Sequence, residues 1–141
     1  MSAVTLETAL PHGRVVRGLG IDLCEVARIA AVLRRHPERF VERVYLTREI
    51  RRAPSSPLYA EHLAGLFAAK EAAMKALGTG MKGVAFREIA IVRQRGGPPR
   101  VALLGRAAAR ARAIGAEAAH VTITHTRDLA AAVVLLLGPD A

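Results

Sequence analysis

Residues 58–77 constrain the fold more than any other part of this chain, because they read as one helix of about twenty residues that stops at Gly78. Glycine suits the left-handed position that closes helices. At about 100° per residue, Leu63, Leu66, Phe67, Met74 and Leu77 form a single apolar arc. Lys70 falls within that arc and Glu71 lies at its margin, so two ionisable groups point toward semi-buried territory. Burying either without a partner costs several kcal/mol, and a metal or a bound anion is one way to satisfy them. The commoner alternative is an exposed Glu71–Lys75 pair at i,i+4 spacing, worth roughly 0.3–0.5 kcal/mol.

The flanking elements follow from their own periods. Residues 15–23 are a β-branched and apolar run, predicted as a strand. Over residues 24–36, Val26, Ile29, Val32 and Leu33 recur at helical spacing while Arg28 and Arg35 repeat on another face, and Pro37 ends that helix. Thr47 has the chemistry of an N-cap for a short helical piece over 48–52, and Pro54-Ser55-Ser56-Pro57 marks a loop. After Gly78 the period changes. Phe86, Ile89, Ile91 and Val92 read as a strand, residues 100–104 as its hairpin partner across Gly96-Gly97-Pro98-Pro99, and 106–114 as an alanine-rich helix. Residues 120–126 alternate Val121 and Ile123 against Thr122 and Thr124, and 129–137 read as a more fully buried strand after a turn near Arg127-Asp128. Helices early and strands mainly late predict a compact single α+β domain, with a largely antiparallel sheet and a long central helix.

A hydrophobic share of 52% in 141 residues supplies one sizeable core. The first fourteen residues hold no long apolar stretch, and the run over 129–137 is far shorter than the roughly 20 residues a membrane-spanning helix needs. The expectation is a cytoplasmic protein with no membrane partner. Cys24 is the single cysteine, which excludes an internal disulfide or a cysteine zinc cluster, and its apolar context reads as a buried, inert thiol. A net charge of +9 implies an acidic partner: nucleic acid, an anionic membrane, an acidic protein or a phosphorylated cofactor. Only Phe40, Phe67, Phe86, Tyr45 and Tyr59 are aromatic, so no stacking platform for single-stranded nucleic acid is evident.

Two further positions carry chemistry. Gly18-Leu19-Gly20-Ile21-Asp22 puts a carboxylate at a strand end where the chain turns into a helix, either as a helix cap or as a ligand. The two glycines form no phosphate loop, since neither a GxGxxG spacing nor a Walker lysine is present. His125 stands between Thr124 and Thr126 at the end of the alternating strand, without the spacing of a metal site, as a structural histidine or a phosphate contact.

Together these segments resemble the holo-acyl-carrier-protein synthase family of phosphopantetheinyl transferases. The resemblance rests on three segments in order: Gly20-Ile21-Asp22; Phe67-Ala68-Ala69-Lys70-Glu71 with Lys75-Ala76-Leu77-Gly78-Thr79-Gly80; and His120-Val121-Thr122-Ile123-Thr124-His125-Thr126. Gly97-Pro98-Pro99 lies between the second and third. It implies transfer of the 4′-phosphopantetheine arm of coenzyme A to a serine of an apo acyl carrier protein in fatty acid biosynthesis, leaving 3′,5′-ADP. It also implies that Asp22 and Glu71 hold Mg²⁺ and that Lys75 joins them in catalysis. Lys75, Gly78, Thr79, Gly80, Pro99, Thr124 and His125 would meet coenzyme A, and Arg28 and Arg35 an acidic carrier protein. A homotrimer with active sites between subunits is implied too, with residues 1–14 as an N-terminal extension and 15–141 as the transferase domain.

There are departures. Leu66 stands where the family often carries arginine, and Pro57-Leu58 replaces a stretch that is often basic, so part of the phosphate cradle is missing or displaced. The competing reading is a catalytically weak relative that serves as a basic binding module for nucleic acid or an acidic protein.

Overall fold

A computed structural model describes residues 13–140 of the chain; the expected N-terminal extension falls largely on residues 1–12, outside those described. The elements are β1 (Arg14–Glu25), α1 (Val26–Arg35), α2 (Pro37–Val44), α3 (Tyr59–Leu77), β2 (Ile89–Arg93), β3 (Pro99–Leu103), α4 (Gly105–Ala113), β4 (Ala118–His125) and β5 (Leu129–Pro139). Two 3-10 turns, Thr47–Glu49 and Phe86–Glu88, stand before α3 and β2. The architecture is α+β, as expected. A three-stranded antiparallel sheet in the order β1-β5-β4 accompanies the β2-β3 hairpin.

The central helix is α3, and it is buried over most of its circumference. Its apolar arc of Leu63, Leu66, Phe67, Met74 and Leu77 packs into the core, each large side chain contributing about 1.5–3 kcal/mol. Its alanine side meets the sheet with no side chains between, because β1 carries glycines there. A Cβ on Gly18 or Gly20 would collide with the carbonyl oxygens of Ala76 and Ala72. Backbone therefore lies on backbone, and the part of β1 carrying Asp22 is held against the helix turn carrying Glu71 and Lys75. Gly78 closes α3 at φ 74°, the left-handed geometry its position predicted.

Several local expectations change. Cys24 and Glu25 extend β1, paired with Ala130 and Leu129, so α1 starts at Val26. Pro37 ends α1 and also opens α2, as its missing N–H and fixed φ suit a first helical position. The sequence reading had no helix there. Thr47 is the first residue of its 3-10 turn instead of the cap, and no helix continues to residue 52. The Glu49 carboxylate instead accepts the Leu46 N–H at 2.7 Å. Phe86 belongs to the second 3-10 turn, and β2 starts at Ile89.

Lys70 is fully buried, and its partner is neither a metal nor an anion from outside. Its ammonium meets the Glu49 carboxylate at 2.8 Å and donates to the carbonyls of Phe86 at 3.0 Å and Ile89 at 2.6 Å. Glu49 also accepts the Ile91 N–H at 2.7 Å. One ion pair thus ties α3 to the first 3-10 turn and to the hairpin. The opposite face of the three-stranded sheet is open. Leu19, Ile21 and Leu23 are 64%, 61% and 61% exposed, next to Leu135, Val133 and Ala131 of β5. No helix among the described residues is long and apolar enough to cross a membrane.

Candidate functional site

Asp22 lies inside β1, three residues before its end and not at the strand end expected, with its carboxyl almost wholly buried against α3. Its Oδ1 accepts from the Lys75 ammonium at 3.0 Å, and the same ammonium donates to the Ile21 carbonyl at 3.0 Å. Lys75, more than half exposed, therefore turns to Asp22 and not to Glu71 as a simple i,i+4 pair. Asp22 Oδ2 is buried with no hydrogen-bond partner among the described residues.

Glu71 presents its carboxyl to Asp22. Burial first, then the adjoining Asp22 carboxyl, by its contact and its charge, push the Glu71 carboxyl up to about 7, while Arg28 and Lys75 pull it back. Two carboxyl groups forced together, one with an orphaned oxygen, are the electrostatics of a site built to receive positive charge. No cluster of three or more His, Cys, Asp or Glu side chains accompanies them among the described residues. A pair of carboxylates without further protein ligands suits Mg²⁺, which keeps waters and completes its octahedron with substrate phosphate oxygens. The residues present fit that ion.

Gly78, Thr79 and Gly80 follow within a turn of Lys75. Both glycines have positive φ, and the Thr79 N–H donates to the Met74 carbonyl at 3.2 Å. Arg28 on α1 is exposed, with its guanidinium 5.9 Å from the Phe67 ring centre and close enough to lower the Glu71 carboxyl. Arg35 is exposed in the last turn of the same helix. Cys24 is buried and its thiol is pushed up to about 11, chiefly by burial, which agrees with an inert role.

His125 and Pro99 lie elsewhere. They line a cavity of about 540 Å³ together with Arg51, Arg52, His62 and Arg93. His125 Nδ1 contacts the Glu61 carboxylate in the first turn of α3. Glu61 precedes Glu71 by ten residues, roughly 15 Å along a helix, while Gly65 and Leu66 also line the cavity, so it runs along α3 to within about two turns of the carboxylate pair. Thr124 is not with His125: alternation along β4 turns Ile123 and His125 to the cavity and Thr124 to the sheet's other face. Of the seven residues expected to meet coenzyme A, one chain thus brings together Lys75, Gly78, Thr79 and Gly80 at the end of α3 and Pro99 and His125 in the cavity.

The sequence reading missed the basic lining. Arg51 and Arg52 fall in a loop, His62 opens α3 and Arg93 ends β2, so no local pattern unites them. Leu58 and Leu66, where the family often has basic residues, line the same cavity.

Residues 18–134 match the family model described as the 4′-phosphopantetheinyl transferase superfamily. The holo-[acyl-carrier-protein] synthase of Solidesulfovibrio magneticus is 51% identical over 125 residues, covering 88% of this chain and 100% of that protein. That of Maridesulfovibrio salexigens is 45% identical, covering 86% and 98%. Among solved structures, the Plasmodium yoelii acyl carrier protein synthase with ADP bound superposes with a TM-score of 0.80 at 27% identity, over 90% of this chain and 98% of that one. The Helicobacter pylori holo-[acyl-carrier-protein] synthase in complex with coenzyme A gives 0.72 at 29% identity, over 84% and 98%. A match of this extent means that the chain belongs to the holo-[acyl-carrier-protein] synthase family of 4′-phosphopantetheinyl transferases.

Proposed function

We propose that this enzyme moves the 4′-phosphopantetheine group of coenzyme A onto a serine of an apo acyl carrier protein, with Mg²⁺ held by Asp22 and Glu71. The observation that carries the reading is the paired carboxyl groups of Asp22 and Glu71, with Asp22 Oδ2 buried and unpartnered beside the Lys75 ammonium. The bound ion supplies positive charge against the pyrophosphate of the donor and against the charge that develops on it.

The protein's own part is positioning and electrostatics. Lys75, anchored on Asp22 and the Ile21 carbonyl, carries a partly exposed positive charge at the edge of the pair, where it orients a phosphate oxygen and the incoming serine. The serine oxygen attacks the pantetheine-side phosphorus and the bond from that phosphorus to the bridging oxygen breaks. 3′,5′-ADP leaves and the serine proton passes to solvent or a neighbouring base. Gly78, Thr79 and Gly80 let backbone approach the donor, and Arg28 and Arg35 receive the acidic carrier.

Neighbouring chains would complete each other's sites in this reading. The open sheet face supports this, since Leu19, Ile21 and Leu23 expose three large apolar side chains in a row on one strand face, the kind of patch that marks a subunit contact. The assembly proposed is a homotrimer, working in the cytoplasm in fatty acid biosynthesis.

The experiment is incubation with apo carrier, coenzyme A and Mg²⁺, followed by intact mass. A phosphopantetheine-sized gain on the carrier is expected. No gain on any of several apo carriers would sink the reading.

A further inference from the structure

A helix leaves its last carbonyls without intrahelical donors, and at the end of α3 those carbonyls stand just before the Gly78-Thr79-Gly80 turn. The Met74 carbonyl accepts the Thr79 N–H at 3.2 Å, and the Lys75 carbonyl accepts the Gly78 N–H at 3.1 Å. The Leu77 carbonyl is served from another element: Arg110 of α4 donates its Nε–H to it at 2.8 Å. Gly78 suits this contact in two ways. It supplies the left-handed φ of 74°, and it leaves room for the arginine, since a Cβ at that position would lie 3.3 Å from Arg110 Nη2.

We propose that Arg110 is a positioning residue for the donor, fixing the Gly78-Thr79-Gly80 turn in the shape that receives coenzyme A before coenzyme A arrives. The inference rests on the coenzyme A reading of that turn and adds the group that holds it.

The arginine extends from a fixed base. At the first turn of α4 the Glu88 carboxylate accepts the Arg106 N–H, and it pairs with the Arg106 guanidinium at 2.9 Å. Ala107 and Ala111, on the face of α4 next to Arg110, are buried in the core. Residues 78–83 have no comparable support. All of them except Thr79 are exposed, and among the described residues no hydrogen bond from outside α3 and the turn itself reaches them. The Leu77 carbonyl belongs to the last peptide before the turn, so the Arg110 bond is the nearest tie between that turn and the rest of the fold.

The electrostatics favour the same arrangement. A cation beside the carbonyl end of a helix is stabilised by the helix dipole. Arg110 has no carboxylate partner among the described residues, so no ion pair draws the guanidinium away from Leu77. A turn already held in one shape loses less freedom on binding than one that orders as the ligand arrives, and the saving appears as affinity.

Two measurements on the full chain test this role. Hydrogen exchange without ligand compares the unmutated chain with Arg110→Met, which keeps an aliphatic stem and removes the donor. The Gly78 and Thr79 amides should exchange about tenfold faster in the variant, the scale of one lost charge-assisted bond, while amides in the middle of α3 are unchanged. Calorimetry with coenzyme A and Mg²⁺ should show affinity lowered about tenfold at unchanged stoichiometry. Arg110→Lys, whose ammonium can still donate to the Leu77 carbonyl, should stay within about threefold of the unmutated affinity. Lower stoichiometry with faster exchange throughout α3 and α4 would make Arg110 merely structural and overturns the proposal. Unchanged exchange at Gly78 and Thr79 overturns it too, even with weaker coenzyme A binding, because the arginine would then act by charge alone. So does equal coenzyme A affinity in Arg110→Met, or an Arg110→Lys variant no better than Arg110→Met. An unmutated chain that binds no coenzyme A removes the donor reading and this role with it. Transfer that fails while the exchange and affinity differences persist counts against the transferase reading alone.

Discussion

Lys70→Met isolates the one fully buried ion pair among the described residues, because methionine keeps the length of the side chain and removes the ammonium. Glu49 would then be a carboxylate held by two backbone N–H groups with its counter-charge gone, while the carbonyls of Phe86 and Ile89 lose a shared donor. Breaking a buried pair from one side costs about 3–5 kcal/mol, and the abandoned carbonyls push toward the upper end. Against a total stability of about 5–15 kcal/mol, that is a large share. With a urea slope near 2 kcal/mol per molar, the midpoint should fall by roughly 2 M, measured by circular dichroism at fixed protomer concentration. Lys70→Met/Glu49→Gln removes both charges and should lose clearly less than the sum of the two single variants, by about 2 kcal/mol or more. A single-variant loss under about 1 kcal/mol, or a double-mutant cycle additive within about 0.5 kcal/mol, would refute the view that the pair acts as a unit.

Other consequences reach the site and the surface. Glu71→Gln and Asp22→Asn each remove one charge from the proposed metal pair and should lower turnover by on the order of a hundredfold or more, with circular dichroism unchanged; full activity in either returns that residue to a structural role. Arg28→Glu should raise the KM for the carrier and weaken its salt dependence while coenzyme A binding is unaltered, and an unchanged carrier KM removes α1 from the docking surface. Ile21→Glu places a charge on the open sheet face and should convert the trimer expected from light scattering into monomer; a monomer before mutation contradicts the assembly outright. Folding lifts the Cys24 thiol from its ordinary 9.0 to about 11, so at pH 8 it remains protonated and buried, and iodoacetamide should label it only after urea is added. Because the unfolded thiol ionises first, stability should also decline as pH rises from about 9 toward 11.

The sequence made α3, its glycine stop and the two final strands legible because each is a long segment with one strong period. Asp22 and Glu71 were legible as candidates from their places near a strand end and on a helix margin. Their juxtaposition came from the family resemblance, since local spacing says nothing about a contact between residues in two distant elements. Lys70 was legible as a semi-buried charge, but its partner was not, for the same reason: Glu49 sits in a 3-10 turn far from α3 in sequence. Pro37 was read as a stop and was also a start, a double use that the missing N–H permits. Thr124 and His125 are neighbours in the chain and lie on opposite faces of a strand, which period-two geometry implies and motif matching overlooks.

The contact of β1 with α3 through bare glycine backbone also has a kinetic side. In the three-stranded sheet β1 lies at the edge and pairs with β5 alone, on the order of a hundred residues later. Asp22 opposes Ala132 in that ladder and meets Lys75 across the helix. Loop closure over such separations is slow, so α3 and the hairpin can consolidate while the first strand still lacks its place. Until β5 is in position nothing holds Gly18 and Gly20 against the helix, and Asp22 has no fixed relation to Glu71. Recovery of metal binding during refolding should therefore lag behind recovery of helix signal, so that the site becomes a reporter of the slowest long-range pairing in the chain.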